Sequence, residues 1–364
     1  MKEYTLTEIE ESGTSSIYRL ENTETINEYY VVSSPETMEL IINPETVGYA
    51  CQQCLLSSTQ TFMQFLREKE TITRPHIFNI LRGGLNFPLE EACFNIEMKV
   101  CSTDFVSCER VIDNGVIKGL DIRYEKIIAE QDVTLLIGDI IASGETLLEC
   151  IPLIAKRYNE LGGSIRKIVF FTIGGTKAVR LMEKLTVELR KIWPEFEGFR
   201  CIFYEGMFTV YEDNGVTGVN TPNIDFGWKG GAIAPELRKR MMQQPLSLFE
   251  KCVIYDGGAR RYEINNHIDE VCEYWNELRE VADSIDFQSL AEEKIGYRLG
   301  ILYEEWLSVT HLVDAPDNKQ LWQQERTILQ GLLNDYTLKA ICDQRLREFN
   351  KAMNIYNTDY GARY

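Results

Sequence analysis

Residues 135–148 read L-L-I-G-D-I-I-A-S-G-E-T-L-L, which is an apolar run, one acid, a turn of small hydroxyl residues and a second apolar run. The first run is typical of a buried strand, and a helical pattern begins directly after Thr146. In open α/β sheets, ligands bind outside the carboxyl ends of the strands. We therefore expect Asp139 and the turn that follows it to face a ligand crevice.

The composition of this turn suits a phosphate group. The first amides of a helix are unpaired and its dipole is positive there, so a turn at this place can hold an anion. The residues predicted to hold it are Ala142, Ser143, Gly144, Glu145 and Thr146. Ser143 and Thr146 add hydroxyl donors, and Gly144 lets the backbone approach the anion closely. An ordinary strand, turn and helix with capping hydroxyl residues is the alternative interpretation.

Asp139 lies just upstream of this turn. Its carboxylate can accept hydrogen bonds from sugar hydroxyls, or it can hold Mg²⁺ through water. The stretch as a whole therefore favours a ligand that carries a phosphate and a polyol.

A second turn of the same kind follows the apolar run over 76–81 and reads R-G-G-L-N-F-P over residues 82–88. Gly83 and Gly84 free backbone amides to meet another anion, and Arg82 supplies a positive charge. Two such turns on neighbouring strands, with an acid beside one of them, predict a ligand with phosphates at both ends.

Composition narrows the range of partners. The chain has 364 residues, 44% of them hydrophobic, and a net charge of −18. That charge disfavours nucleic acid and anionic membrane surfaces. No apolar stretch is long enough to span a membrane, and the first residues lack the pattern of a signal peptide. We expect a cytoplasmic protein with reduced thiols, and its three histidines favour neither a histidine base nor a multi-histidine metal site.

Alternating apolar runs and amphipathic segments from 76 to 204 predict an α/β fold, a mostly parallel sheet with helices on both faces. Phe105 and Leu120 begin two strands that flank Asn114-Gly115, which predicts a hairpin. Asn43-Pro44 has the composition of a helix start. We divide the chain into an N-terminal arm over 1–42, an α/β domain over 43–262 and an all-α region over 263–364. The last region is the expected surface for a homo-oligomer or a protein partner.

At this point the sequence resembles the type I phosphoribosyltransferases, and most closely their uracil branch. The family signature is similar to residues 135–146, and its pyrophosphate loop is similar to residues 80–85. The hairpin that ends at residues 123–127 looks like the mobile flap, with Arg110 near the position of the flap arginine. Residues 204–206 and 220–227 look like the segment that holds the base. The resemblance covers about residues 43–235.

The resemblance implies a Mg²⁺-dependent transferase that moves phosphoribose from 5-phosphoribosyl-1-pyrophosphate (PRPP) to a nitrogenous base. It implies catalytic roles for Asp139 and Arg110. The segment over 205–235, which we call the hood, would select the base. Its predicted base-binding residues are Asn223, Asp225 and Phe226, and the alternative is that these polar residues only cap turns. The sequence departs from the signature at Gly138, where the family has the first of two acids.

Two other functions fit the same residues. One is a non-catalytic module with this fold that binds PRPP or a nucleotide and signals through its helical region, which the missing acid favours. The other is an assembly subunit in which the helices do the work. A serine-hydrolase role for Ser143 fails because the G-x-S-x-G elbow is absent from the sequence.

Overall fold

The computed structural model describes residues 4–21, 25–81, 87–113, 116–141, 144–211, 215–219, 225–250 and 263–361. Within these ranges the strands are β1 (Thr5–Ser12), β2 (Ser15–Glu21), β3 (Glu28–Ser33), β4 (Pro75–Leu81), β5 (Ser102–Asp113), β6 (Val116–Lys126), β7 (Val133–Gly138), β8 (Ile165–Gly175), β9 (Phe199–Tyr211) and β10 (Asp225–Ile233). The helices are α1 (Pro35–Ile42), α2 (Gly48–Lys69), α3 (Phe87–Asn95), α4 (Glu145–Glu160), α5 (Lys177–Ile192), α6 (Pro235–Gln243), α7 (Ile264–Val281), α8 (Phe287–Ile295), α9 (Tyr303–Thr310), α10 (Pro316–Asp335) and α11 (Leu338–Gly361).

The strands form one mixed sheet in the order β1-β2-β3-β9-β8-β7-β4-β5-β6, and β10 pairs with β9 outside this path. Every pairing from β3 across to β5 is parallel. All residues of β7 are buried, so both faces of the sheet are covered there. The predicted mostly parallel sheet with a helical C-terminal region is therefore confirmed.

The direction in which the chain adds successive strands to the sheet reverses between β4 and β7, although these two strands are parallel. From β4 the chain moves outward to β5 and β6, and it then returns to the other side of β4 as β7, followed by β8 and β9. This arrangement is a topological switch point, the place in an open α/β sheet where ligands bind. The sheet thus places the ends of β4 at Leu81 and of β7 at Gly138 side by side at its carboxyl edge.

The N-terminal segment is part of this sheet. Strand β3 pairs in parallel with β9, from Glu28 opposite Arg200 to Val32 opposite Tyr204. Because Val31 and Val32 are completely buried, the expected arm over 1–42 shares the core of the α/β body.

The predicted helix start at Asn43-Pro44 is wrong. Asn43 instead ends α1, and its backbone N–H donates to Glu39 O at 3.0 Å. The helix that follows, α2, begins instead at Gly48, with Val47 in its N-cap position. The same residue types occur at helix starts and in the turns after helices, so local composition does not separate the two cases. The predicted hairpin is confirmed, because β5 and β6 pair antiparallel up to Asp113 opposite Val116; its tip at 114–115 lies outside the described residues.

The C-terminal region is attached through a buried carboxylate. Glu325 of α10 accepts from Tyr297 Oη at 2.6 Å, from Trp306 Nε1 at 3.0 Å and from Arg238 Nη1 at 3.2 Å. The guanidinium carbon of Arg238 also lies 4.9 Å from the ring centroid of Trp228 in β10. One carboxylate therefore links α10, α6 and the sheet.

A second attachment lies at the edge of the sheet. The N–H of Leu6 in β1 donates to His311 O at 2.8 Å, and Leu6 forms a parallel bridge with Leu312. Residues from the far end of the chain thus cover part of the outermost strand.

Strand β9 carries a bulge at Glu205. Pairing with β8 jumps from Thr172 opposite Phe203 to Gly174 opposite Met207, and Glu205 has a φ of 64°. Its buried carboxyl accepts from Ser33 Oγ at 2.7 Å, from Ser34 N at 2.9 Å and from the hydroxyl of Thr37. Burial raises the pKa of Glu205 to about 8, against these hydrogen bonds, which lower it.

We expect Glu205→Gln to remove part of the pH dependence of stability. A pKa of about 8 in the folded chain, against an ordinary value of 4.5, means that the folded state holds this proton more tightly. The stabilising contribution is complete below pH ~4.5 and is lost as the pH rises towards about 8. Urea unfolding at several pH values should therefore show that the free energy of unfolding of the variant rises relative to that of the wild type between pH ~5 and ~8. A difference in unfolding free energy that stays constant across that range would contradict the raised pKa of Glu205.

Glu325→Ala should destabilise the chain by about 3–5 kcal/mol, because it leaves the Arg238 guanidinium buried without its carboxylate. The matched control is Glu188→Ala, which removes an exposed partner of Lys191 and should cost no more than about 1 kcal/mol. Chemical denaturation of both variants measures the two losses. Similar losses in the two variants would show that Glu325 does not hold the helical region in place.

Candidate functional site

Asp139 follows β7 directly at the carboxyl edge of the sheet. It is half-buried, and its N–H donates to Phe171 O at 3.0 Å. Its Oδ1 accepts from the N–H of Ile140 at 2.8 Å, which fixes the carboxylate beside its own backbone. The structure thus places an oriented acid at the switch point.

The chain after Asp139 is fixed against the end of β8. The N–H of Ile141 donates to Ile173 O, and the N–H of Gly175 donates to Ile141 O, both at 3.2 Å. A Cβ added at Gly174 would lie 2.9 Å from Thr172 Oγ1 and 3.3 Å from Ile141 O. This close backbone approach directs the chain towards the start of α4.

Helix α4 begins at Glu145, and its N-cap residue, Gly144, has a φ of 77°. Gly144 has no side chain with which to cap the helix, and the first amides of a helix have no partner within it. The helix has 16 residues, and its positive end lies after β7 at the carboxyl edge of the sheet. Binding of an anion at this helix start stays a prediction.

The structure describes some of the predicted site residues fully, some by their backbone alone and others not at all. Those that lie outside the described residues are Arg82, Gly83, Gly84, Ala142, Ser143 and Asn223. Backbone alone is described for Arg110 in β5, Glu145 and Thr146 in α4, and Asp225 in β10. Asp139 and Gly144 are brought to the same edge of the sheet, and the roles of the whole set stay predictions.

Phe226 lies within the sheet. It pairs with Val210 of β9, is 7% exposed and meets the ring of Phe208 at a centroid distance of 6.1 Å. The ring of Phe226 is therefore packed against the ring of Phe208. Stacking on a base stays a prediction for this residue.

Sequence reasoning missed a third connection of this kind, in which β8 ends at Gly174-Gly175 and Thr176 leads directly into α5. Its backbone is packed tightly, because Thr176 N donates to Phe208 O at 2.8 Å and a Cβ at Gly175 would lie 3.2 Å from the same oxygen. Lys177 follows as an exposed cation at the start of α5. The strand, glycine and helix pattern that revealed the other two turns is present here as well.

The buried histidine lies at the other end of β4. His76 Nδ1 is 3.2 Å from both Asp104 Oδ2 and the hydroxyl of Tyr158, and burial of the ring is complete. Nδ1 is therefore satisfied at the strand start, whereas the buried Nε2 has no hydrogen-bond partner among the described residues. Burial acts to raise the pKa of Asp104, but hydrogen bonds from His76, Ser102 and Tyr158 outweigh it and lower that pKa, so this is a buried hydrogen-bonded cluster at the amino edge of the sheet.

The described residues contain neither a membrane-spanning helix nor a cluster of metal-ligating side chains. No helix among them is long and apolar enough to cross a membrane. No group of three or more histidine, cysteine, aspartate or glutamate side chains among them is arranged to hold a metal ion.

No protein-family model and no curated protein matches the chain. The chain is similar to three solved structures. A hypoxanthine phosphoribosyltransferase from Staphylococcus aureus is 17% identical with a TM-score of 0.28, over 35% of this chain and 66% of that one. The AQ2163 protein from Aquifex aeolicus is 14% identical with a TM-score of 0.32, over 46% and 80%. An adenine phosphoribosyltransferase is 13% identical with a TM-score of 0.25, over 43% and 81%.

The chain therefore covers just under two thirds of the first of these structures. At such TM-scores the three likenesses assign neither a family nor an activity to this chain. None of the three is a uracil enzyme by its description, so the uracil branch stays a prediction.

We expect Gly144→Ala to destabilise the chain by about 1–2 kcal/mol, because its φ of 77° is costly for any residue with a Cβ. The new Cβ would also lie 2.9 Å from Leu181 Cδ2, which must turn away. Gly331→Ala, where nothing lies within 4 Å of the added Cβ in α10, should instead stabilise by about 0.5–1 kcal/mol. Urea denaturation measures both changes, and the same sign at both positions would contradict the geometry at Gly144.

Proposed function

We propose that this protein is a Mg²⁺-dependent phosphoribosyltransferase that acts on PRPP and a nitrogenous base. The observation that carries the proposal is the switch point between β4 and β7. It brings the ends of two parallel strands side by side, and each strand is followed by a glycine turn that leads to a helix. Such a crevice suits a ligand with an anion at each end.

The parts of PRPP can be assigned to this crevice from the chain's own chemistry. The start of α4 at Gly144 would hold the 5′-phosphate through backbone amides. The turn over 82–86 would hold the pyrophosphate, helped by the charge of Arg82. Asp139 follows β7 directly at the edge of the sheet, and its carboxylate would accept from the ribose hydroxyls.

Magnesium fits this site only together with the substrate. Asp139 is one carboxylate, whereas Mg²⁺ in nucleotide enzymes commonly uses one or two carboxylates, several waters and the phosphates of the substrate. The ion would therefore rest mainly on the pyrophosphate, with Asp139 contacting it through water. When bound, it would neutralise charge that develops on the leaving pyrophosphate.

The residues of the chain would act mainly by positioning and by electrostatics. In the transfer, the bond from ribose C1 to the pyrophosphate oxygen breaks and its electron pair leaves with the pyrophosphate. A bond from C1 to a nitrogen of the base forms, and the proton of that nitrogen passes to the leaving pyrophosphate or to water. The sugar is positively charged in between, and Asp139 would hold its hydroxyls in place while Arg82 and Arg110 balance the leaving group. The antiparallel hairpin of β5 and β6, which carries Arg110, would exclude water from the crevice.

A second candidate is a non-catalytic module with the same fold that binds PRPP or a nucleotide. The observation in its favour is Gly138, the last residue of β7, which is buried opposite Phe171. A carboxylate is absent at this position, so one acceptor for the ribose hydroxyls is missing. Release of pyrophosphate from PRPP with a panel of bases separates the two: turnover supports the enzyme, and binding without turnover supports the module.

Asp139→Asn should weaken binding of PRPP with Mg²⁺ by about 1–3 kcal/mol, because the ribose hydroxyls lose a charged acceptor. Isothermal titration calorimetry measures this loss. The matched control is Glu149→Gln, an exposed acid of α4 that has the same change of charge. Unchanged affinity in the Asp139 variant, or an equal loss of affinity in the control, would show that Asp139 does not contact the ligand.

A further inference from the structure

We propose that a cavity between the β1 edge of the sheet and the C-terminal region binds a small organic cation. The ligand class is an ammonium or guanidinium group on a short aliphatic body, and Glu236 is the residue that would accept from its charged group. This site does not depend on the proposed function, because its lining comes from β1, β2, α6 and residues 312–324 and not from the described residues that follow β4 or β7.

The cavity has a volume of about 380 Å³. Its walls are formed by β1, by β2, by the first turns of α6 and by residues 312–324, which lead into α10. Ligand pockets commonly enclose about 300–1,000 Å³, so this space suits a small molecule. A ligand in the cavity would contact both the α/β body and the C-terminal region.

Glu236 provides an oriented carboxylate in the wall. Its Oε1 accepts from Tyr18 Oη at 2.6 Å and from Ser16 Oγ at 3.0 Å, so the side chain is held against β2. Its Oε2 is buried and has no hydrogen-bond partner among the described residues. A buried oxygen without a donor is costly, and a charged donor on a ligand would remove that cost.

The charges in the lining favour a cation. Glu8, Glu236 and Asp317 are its acids, and Lys239 is the one basic residue among the described residues that line it. Burial raises the pKa of Glu8, and the negative charge of Glu236 raises this pKa further. The two carboxylates therefore repel each other, and a positive charge bound beside them would relieve that repulsion.

The rest of the lining favours an organic cation over a metal ion. Leu6, Leu312 and Leu321 are buried apolar residues of the walls, which an aliphatic body can contact. In the part of the chain that the structure describes, no group of three or more acidic, histidine or cysteine side chains is arranged to hold a metal ion. The cavity thus suits a ligand with charged N–H donors at one end and apolar surface elsewhere.

The test uses the full-length chain and two probe cations, butylammonium and butylguanidinium, at constant ionic strength. The matched ligands without positive charge are 1-butanol and pentanoate, which carry the same butyl group. Isothermal titration calorimetry should show saturable binding of the cations. Binding of 1-butanol and pentanoate should be weaker by about tenfold or more, because neither can give Glu236 a charged donor.

Two variants should shift the affinity in opposite directions. Glu236→Gln keeps an acceptor for Tyr18 and Ser16 but removes the charge, and it should weaken binding of both cations by about tenfold. Lys239→Ala removes a repelling charge at an exposed position and should tighten binding by about twofold. The control is Glu273→Gln, which changes an exposed acid of α7 and should leave the affinity unchanged.

Hydrogen exchange locates the bound cation. Butylguanidinium should slow exchange by about threefold or more in peptides that cover residues 5–12 and 312–324, and it should leave peptides of α5 unchanged. Asp317→Asn, at an exposed position of α10, is a second variant in case Glu236→Gln does not fold, and it should weaken cation binding by about twofold.

Equal affinity for butylammonium and 1-butanol would overturn the proposal. The same would follow from an equal loss of affinity in Glu236→Gln and Glu273→Gln, or from tighter cation binding in Asp317→Asn. A wild-type chain that shows no saturable binding of either cation up to about 50 mM would also overturn it. Protection that appears only outside residues 5–12 and 312–324 would show that the cation binds elsewhere.

Discussion

The buried carboxyl of Glu205 is the constraint on which the carboxyl edge of the sheet depends. It accepts hydrogen bonds from Ser33, Ser34 and Thr37, so it joins the end of β3 and the start of α1 to β9. Its own backbone oxygen accepts from Ala234 N at 2.9 Å, just after β10. These bonds hold a residue with positive φ at the bulge, and β9 stays paired with β8 on both sides of it. The bulge at the start of the hood is therefore held by residues near the beginning of the chain.

Local patterns in the sequence were sufficient to predict β4 and β7, the strands that precede the proposed phosphate turns. The apolar runs that became β4 and β7 are continuous, and a continuous buried strand needs no distant partner to be recognised. Glu205 is different, because its partners lie 168 to 172 residues away and its surroundings look like an ordinary strand end. The same limit explains why β1–β3 were expected as an arm: two polar strands and one apolar strand do not reveal which edge they join. Local signals also failed at Asn43, where a helix end and a helix start use the same residues.

The C-terminal region is joined to the α/β body by buried carboxylates rather than by a linker alone. Glu325 meets Arg238, and Glu250 meets Arg345 Nη2 at 2.6 Å and Trp275 Nε1 at 2.8 Å. Burial raises the pKa of Glu250 to about 7, against the charge of Arg345, which lowers it. Buried ion pairs are weak sources of stability, but breaking one is costly. The two buried pairs at this junction favour a fixed geometry between the helices and the sheet.

The contact of Leu6 with His311 and Leu312 has a practical consequence for work with shortened forms of the protein. Strand β1 is the outermost strand of the sheet, and an exposed strand edge presents unpaired backbone groups to other molecules. Removing the helical region would uncover that edge together with the faces of α6 and β10 that now pack against helices. The isolated α/β piece should therefore self-associate or precipitate. Biochemistry on it would then measure the behaviour of an aggregate rather than that of the single folded chain.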